Sequence, residues 1–161
     1  MMPEVKLFAL CLVIIVVLSV CNGVKPDETR QSVDLSQISL DGIQIGNPVS
    51  KIDRDKYTSS DRFRLKANTI NFEEWRITYD KNQVICGIHA NFSSINISVN
   101  SNTDLVSIDD VLGILGEDSE RDWYDREQGL KHITYYDVNN ALQAVFVYSD
   151  YNGDLVWVII E

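Results

Sequence analysis

Apolar and polar residues alternate in two adjacent stretches near the middle of the chain. In WRITYD, Trp75, Ile77 and Tyr79 alternate with polar residues, which is the pattern of a strand with one buried face. The turn-forming residues DKN follow, and QVICGIHAN then alternates again. We therefore predict a β-hairpin over residues 75–91.

Three further strands are predicted towards the end of the sequence. HITYYD, ALQAVFVYS and LVWVIIE are rich in β-branched and aromatic residues, and DYNGD supplies a turn between the last two. LVWVIIE is apolar on both alternating sides: Leu155, Trp157 and Ile159 form one set, and Val156, Val158 and Ile160 form the other. Such a strand is either central and shielded by the rest of the fold, or it presents an apolar and aromatic patch to a partner.

One helix is predicted in each half of the chain. In SIDDVLGILG, Ser107 and Asp110 have the spacing of a capping box, apolar residues recur at helical intervals, and Gly116 is suited to end the helix. In NPVSKI, Asn47 is suited to cap a helix and Pro48 to occupy its first position.

The order helix, loop, strand, strand therefore occurs twice, and WRITYDKNQVICGI can be aligned with AVFVYSDYNGDLVWVII so that their turns coincide. This order predicts an internal duplication with units at residues 38–103 and 104–161. Each unit is marginal in size, so we expect the two to pack together. The predicted fold is α+β, in which two helix-plus-antiparallel-hairpin units form one domain with the helices on one face of the sheet.

The first residues have the layout of a signal peptide. The apolar run LFALCLVIIVVLSV has 14 residues, shorter than a helix that spans a bilayer, which favours a removed signal over residues 1–23. LSVC resembles the bacterial lipobox, which makes Cys21 a candidate for lipidation; cleavage after Gly23 and a retained anchor are the alternatives. Residues 24–37 are interpreted as a tether. We expect an extracytoplasmic domain, secreted or anchored to the outer side of the cell membrane, that meets the membrane only through this N-terminal region.

The net charge and the sequence motifs disfavour several classes of function. The net charge of −10 disfavours nucleic acid as a partner. The acidic stretch at residues 104–127 offers oxygen ligands for calcium, but the EF-hand order of ligands is missing from the sequence. His89 and His132 have no catalytic motif beside them, and Cys86 is interpreted as a core residue. We predict no catalytic residue, metal site or cofactor; the alternative is a cell-surface hydrolase or calcium-dependent factor that uses residues 104–127.

Three short stretches carry a resemblance to a known family. DGIQIGNPVSKI, VLGILGED with the following Trp123, and NGDLVWVII are similar to the repeats of the BLIP-like and SmpA/OmlA (BamE-like) families, over residues 38–161. The resemblance implies an extracytoplasmic helix-and-sheet domain, often lipid-anchored, that is not an enzyme and binds another protein, as an enzyme inhibitor or an envelope-assembly factor. We therefore expect an extracytoplasmic protein as the partner. The residues of this chain that we expect to anchor the partner are aromatic: Trp123, Tyr124, Trp157 and Tyr136.

Overall fold

The structure is a computed structural model that describes residues 32–60, 67–117 and 119–161. The predicted signal peptide, with the lipidation candidate Cys21, lies outside the described residues.

Nine strands and one α-helix make up the regular structure of the described residues. The strands are β1 (Ile38–Leu40), β2 (Thr69–Asn71), β3 (Trp75–Tyr79), β4 (Ile85–Asn91), β5 (Ile97–Val99), β6 (Glu120–Asp125), β7 (Leu130–Asp137), β8 (Leu142–Ser149) and β9 (Leu155–Ile160). The helix α1 spans Ile108–Leu115, and two short 3-10 turns span Val49–Lys51 and Arg54–Lys56.

Seven of these strands form one antiparallel sheet in the order β2-β3-β4-β9-β8-β7-β6, and β1 pairs with β5 in a separate ribbon. The hairpins predicted from WRITYD to QVICGIHAN and from ALQAVFVYS to LVWVIIE are confirmed as β3–β4 and β8–β9. Their inner strands β4 and β9 pair with each other, so the two hairpins are continuous in one sheet.

The predicted α+β fold of two helix-plus-hairpin units is wrong, because the structure is mostly β and only 11% helical. Where NPVSKI was expected to begin a helix, Pro48 is extended and a single 3-10 turn follows. The reason is long-range pairing of the backbone. The Val49 N–H donates to the Gln83 carbonyl at 2.9 Å, and the Ile85 N–H donates to the Asn47 carbonyl at 2.9 Å. Backbone groups that pair with the start of β4 and the loop before it cannot also build an α-helix.

The other predicted helix is confirmed as α1. The Asp110 carboxylate accepts hydrogen bonds from the backbone N–H and the hydroxyl of Ser107, at 2.8 and 2.9 Å. Gly116 ends the helix with a φ of 88°, which glycine adopts without steric cost. The Tyr135 hydroxyl donates to the Gly116 carbonyl at 2.7 Å, so the end of α1 is fixed to β7.

One face of the seven-stranded sheet forms the core. Across β3, β4, β9, β8 and β7, the buried paired residues are Ile77, Ile88, Ile160, Ala144 and Tyr135. Side chains of α1, β1 and β5, such as Val111, Leu40 and Val99, belong to the same hydrophobic cluster. The helix and the ribbon therefore cover this face, and alternate residues of the same strands point to the other face.

The last part of the predicted tether, residues 32–37, lies against the end of β7. The Val33 N–H donates to the Tyr136 carbonyl at 2.9 Å. The Leu35 N–H donates to the buried Asp137 carboxylate at 3.0 Å, and the Leu35 side chain is itself buried. These residues are thus held at the C-terminal end of β7.

Candidate functional site

The candidate site is the face of the seven-stranded sheet opposite the core, which we call the open face. One row of paired residues crosses it from β3 to β6: Arg76, His89, Ile159, Val145, Thr134 and Glu120. The neighbouring row runs from β4 to β6: Asn91, Trp157, Val147, His132 and Asp122. Most of these side chains are half-buried or exposed, whereas those of the core face are buried.

Two aromatic rings reach towards each other across the open face, and we call this pair the aromatic bridge. The Tyr124 and Trp157 ring centroids lie 5.3 Å apart at an interplanar angle of 74°, an edge-to-face contact. Their strands, β6 and β9, are separated by β7 and β8, which is a gap of about 14 Å between strand axes. The rings therefore lean over the intervening strands, and Val147 beneath them is fully buried.

Two imidazoles adjoin the aromatic bridge: His132 lies on β7, between the strands of the two rings, and His89 lies on β4, beyond Trp157. The His132 ring lies 6.3 Å from Tyr124, and the His89 ring lies 6.2 Å from Trp157. The Trp157 Nε1 and His132 Nδ1 atoms are shielded from solvent and have no hydrogen-bond partner within the described structure. Ring packing, not hydrogen bonding by these nitrogens, therefore holds the aromatic bridge in place.

His89 is held in its neutral form by its neighbour on β3. The Arg76 Nη2 lies 2.9 Å from His89 Nδ1, and a guanidinium can only donate, so Nδ1 accepts. Burial of the imidazole and the positive charge of Arg76 both lower the pKa of His89 below its usual value. Among the described residues, this side of the open face therefore presents the Arg76 guanidinium and a neutral, polar imidazole.

The opposite end of the open face is acidic. Glu120 and Asp122 lie on the edge strand β6, and both are exposed. The Tyr136 hydroxyl donates to Glu120 Oε2 at 3.3 Å. The apolar residues Ile159 and Val145 lie between this acidic end and Arg76. The open face thus has a positive end, an apolar centre and a negative end.

Three of the four predicted anchors share the open face. Tyr124 and Trp157 form the aromatic bridge. Tyr136 follows Thr134 by two positions on β7, so it lies on the same face, and it contacts Glu120.

Trp123, the fourth predicted anchor, lies on the other side of β6. It pairs with Lys131, whose ammonium is 4.9 Å from the Trp123 ring centroid, and the Arg126 guanidinium is 5.6 Å from it. These are cation–π contacts at the sheet edge. Trp123 is therefore separate from the aromatic bridge.

The acidic stretch at residues 104–127 is divided among a helix, a strand and turns. The Ser107 and Val106 backbone N–H groups donate to Asp110 and lower its pKa. The Gln128 backbone and side chain donate to Asp125, whose pKa is lowered in the same way. Among the described residues, no three His, Cys, Asp or Glu side chains are grouped as metal ligands would be. Asp118 lies outside the described part of the chain.

Three cavities of the described structure lie away from the open face. One of about 620 Å³ is lined by residues that include Val49, Asp53 and Asn82. One of about 460 Å³ adjoins α1 at Asp109. A smaller one of about 210 Å³ lies beside Leu35.

Sequence reasoning missed Arg76 as a site residue and did not connect His89 to it. Both residues alternate out of the apolar set in their strands, and the hairpin places them opposite each other. The pairing register of the predicted hairpin could have indicated that Arg76 and His89 are cross-strand neighbours.

The described residues contain no helix with the length and apolarity that a membrane span requires. No protein-family model, curated protein or solved structure matches this chain.

Proposed function

We propose that this chain is a non-catalytic, extracytoplasmic protein-binding module and that the open face is its binding surface. The observation that carries the proposal is the aromatic bridge of Tyr124 and Trp157, which lies beside an apolar centre with opposite charges at its two ends. Aromatic residues at the centre of an interface supply much of its binding energy, and charges at its rim select the orientation.

The shape of the open face favours a macromolecule over a small ligand. Its residues are spread over six strands, which is about 24 Å from β3 to β6. Small ligands are usually enclosed in clefts, whereas protein partners bind extended surfaces. A protein that lays apolar and aromatic side chains over Ile159, Val145 and Trp157 fits this arrangement.

The histidines support a non-catalytic function. A general base is usually oriented by a hydrogen bond to one ring nitrogen, often from a carboxylate. His89 Nδ1 accepts from Arg76, and His132 Nδ1 has no partner within the described structure. Neither Nδ1 is therefore oriented by a carboxylate.

The proposed location rests on the N-terminal sequence. Residues 1–23 have the layout of a signal peptide, and LSVC ending at Cys21 resembles a lipobox. Export or anchoring would present the open face to proteins outside the cytoplasm.

The test is capture of a partner by the immobilised protein from the extracytoplasmic fraction of its source. Val145→Arg places a charge in the apolar centre of the open face, and we expect it to abolish saturable, stoichiometric binding. Val106→Arg is the matched control, because Val106 is 72% exposed and lies before α1, away from the open face. Thermal unfolding must show that both variants are folded. Binding that survives Val145→Arg as well as Val106→Arg would contradict the proposal.

A further inference from the structure

The open face is most accessible along its edge strand, β6. Val147 on β8 and Thr134 on β7 are buried, whereas Asp122 on β6 is exposed and Tyr124 is 44% exposed. Asp122 and Tyr124 both adjoin His132: Asp122 is its cross-strand partner, and the Tyr124 ring lies 6.3 Å from its ring. Two positions along a strand correspond to about 7 Å, so one ligand group can contact both side chains. We call Asp122 and Tyr124 the β6 pair.

The Asp122 carboxylate has hydrogen-bonding capacity beyond its contact within the chain. Its Oδ1 atom accepts the Trp123 backbone N–H at 2.7 Å. Within the described part of the chain, this carboxylate forms no ion pair with a lysine, arginine or histidine. Two carboxylate oxygens accept about four hydrogen bonds, so Asp122 can bind a cation and keep its contact with Trp123.

The Tyr124 ring is accessible to a cation. Its neighbour Trp123, on the other side of β6, has the Lys131 ammonium 4.9 Å and the Arg126 guanidinium 5.6 Å from its ring centroid. Among the described residues, no cation lies over the Tyr124 ring. The negative face of an aromatic ring attracts a cation, and a nearby carboxylate adds to this attraction. The β6 pair therefore has the chemistry to bind an ammonium or guanidinium group from outside the chain.

We infer that the partner of the open face is a basic protein, one of whose lysine or arginine side chains binds the Tyr124 ring and the Asp122 carboxylate together. This inference rests on the proposed function, since it states the chemistry of the partner of that surface. The net charge of −10 attracts a basic surface and repels a second copy of the chain. Calcium is disfavoured as the occupant, because it takes six or more oxygen ligands and the described residues hold no group of three metal-ligating side chains.

NMR titration of the mature protein, obtained by expressing the full chain, tests the inference with a defined probe. The probe is a short capped peptide that alternates lysine with alanine, and its control is the same peptide with acetylated lysines. At low salt, the backbone amide signals of Asp122 and Tyr124 should shift and saturate with a Kd of about 1 mM. The acetylated peptide should cause no such shift, because its side chains are neutral.

Three variants assign the binding to the β6 pair. Asp122→Asn removes the charge but keeps an oxygen for the Trp123 N–H, and it should weaken peptide binding about fivefold. Asp109→Asn is the matched control, because it removes the same charge from an exposed position on α1, and its effect should be less than about twofold. Tyr124→Leu keeps an apolar side chain without the aromatic ring and should weaken binding about threefold. Thermal unfolding must show that each variant is folded.

Several results would overturn the inference. These are equal weakening by Asp122→Asn and Asp109→Asn, equal binding of the acetylated peptide, or no saturable shift of the two amide signals at about 10 mM peptide. Shifts that depend on protein concentration without any peptide would identify a second copy as the occupant and also overturn it. A partner captured through Val145 that binds Asp122→Asn and Tyr124→Leu as tightly as the unchanged chain would overturn this inference and leave the proposed function intact.

Discussion

The Tyr124 ring lies edge-on against the Trp157 ring, with centroids 5.3 Å apart, although two strands separate β6 from β9. The two rings lie over Val147, which is fully buried on the open face. Its neighbour Phe146 points to the opposite, core face. The aromatic bridge is therefore a packed cluster beside the apolar centre of Ile159 and Val145, and we propose that both belong to the binding surface.

The aromatic bridge should contribute to stability as a coupled pair. We expect Trp157→Ala to lower the free energy of unfolding by about 2 kcal/mol and Tyr124→Ala by about 1 kcal/mol, because each exposes Val147 and removes ring contacts. In a double-mutant cycle measured by urea unfolding, the coupling should be about 1 kcal/mol. Additive effects would show that the two rings do not stabilise each other.

Acid should destabilise the fold through His89. Its pKa is lowered in the folded state, so the unfolded chain binds the proton more readily as the pH falls below about 6.5. The effect of His89 on the free energy of unfolding should be absent above this pH, grow as the pH falls to the lowered pKa of the folded state, and then level off. The groups facing His89 are Arg76, Trp157 and Ile159, and of these only Arg76 is charged.

Urea unfolding from about pH 7.5 to about pH 5 measures this effect. We expect the free energy of unfolding to depend less on pH in His89→Gln than in the wild-type protein. An equal slope in both proteins would assign the acid sensitivity to other groups.

The Asp137 carboxylate should anchor residues 32–37 to the sheet. Burial acts to raise its pKa, but hydrogen bonds from the Asn140 side chain and the Leu35 and Asn140 backbones lower it overall. We expect Asp137→Ala to cost about 2 kcal/mol, because the Leu35 and Asn140 N–H groups lose their acceptor.

This anchor is measured by amide hydrogen exchange at Leu35 together with urea unfolding. Exchange at Leu35 should be faster in Asp137→Ala. Asp34→Ala is the control, because within the described part of the chain the Asp34 carboxylate accepts from nearby Ser36 alone and lies outside the sheet. If both variants exchange alike, Asp137 does not hold this segment.

Loss of the Asp110 cap of α1 should lower the stability of the protein more than loss of a charge in the first turn of this helix. Asp110→Ala removes the acceptor of the Ser107 and Val106 N–H groups, and we expect a loss of about 1 kcal/mol in thermal or urea unfolding. Asp109→Ala, one residue earlier and exposed, should cost less than about 0.5 kcal/mol. Equal losses would indicate a general effect of charge near the helix start.

Local sequence pattern predicted the elements whose partners are close in sequence. The β3–β4 and β8–β9 hairpins, strand β7 and helix α1 have alternation, turn residues or a capping box within a few residues of one another. The predicted helix at NPVSKI failed because its backbone pairs with Gln83 and Ile85, far along the chain. Helix propensity depends on residues close in sequence, so it does not indicate such long-range pairing.

The arrangement of the candidate site could be predicted only in part, for the same reason. Tyr124 and Trp157 were recognised singly as aromatic residues in suitable places, but their contact depends on the order β9-β8-β7-β6. ERDWYD lacks apolar alternation, and it forms β6 through its pairing with β7. That pairing turns Tyr124 to the open face and leaves Trp123 on the other side.

Hydroxyl-radical footprinting of the protein, alone and saturated with the partner it captures, tests the binding surface most directly. Mass spectrometry should find that oxidation of Trp157 and Tyr124 falls in the complex, because the partner covers the aromatic bridge. Oxidation of Trp123 and of Tyr151, which is 97% exposed in the β8–β9 turn, should be unchanged. Protection of Trp123 or Tyr151, with Trp157 and Tyr124 oxidised as in the free protein, would contradict the open face as the binding surface.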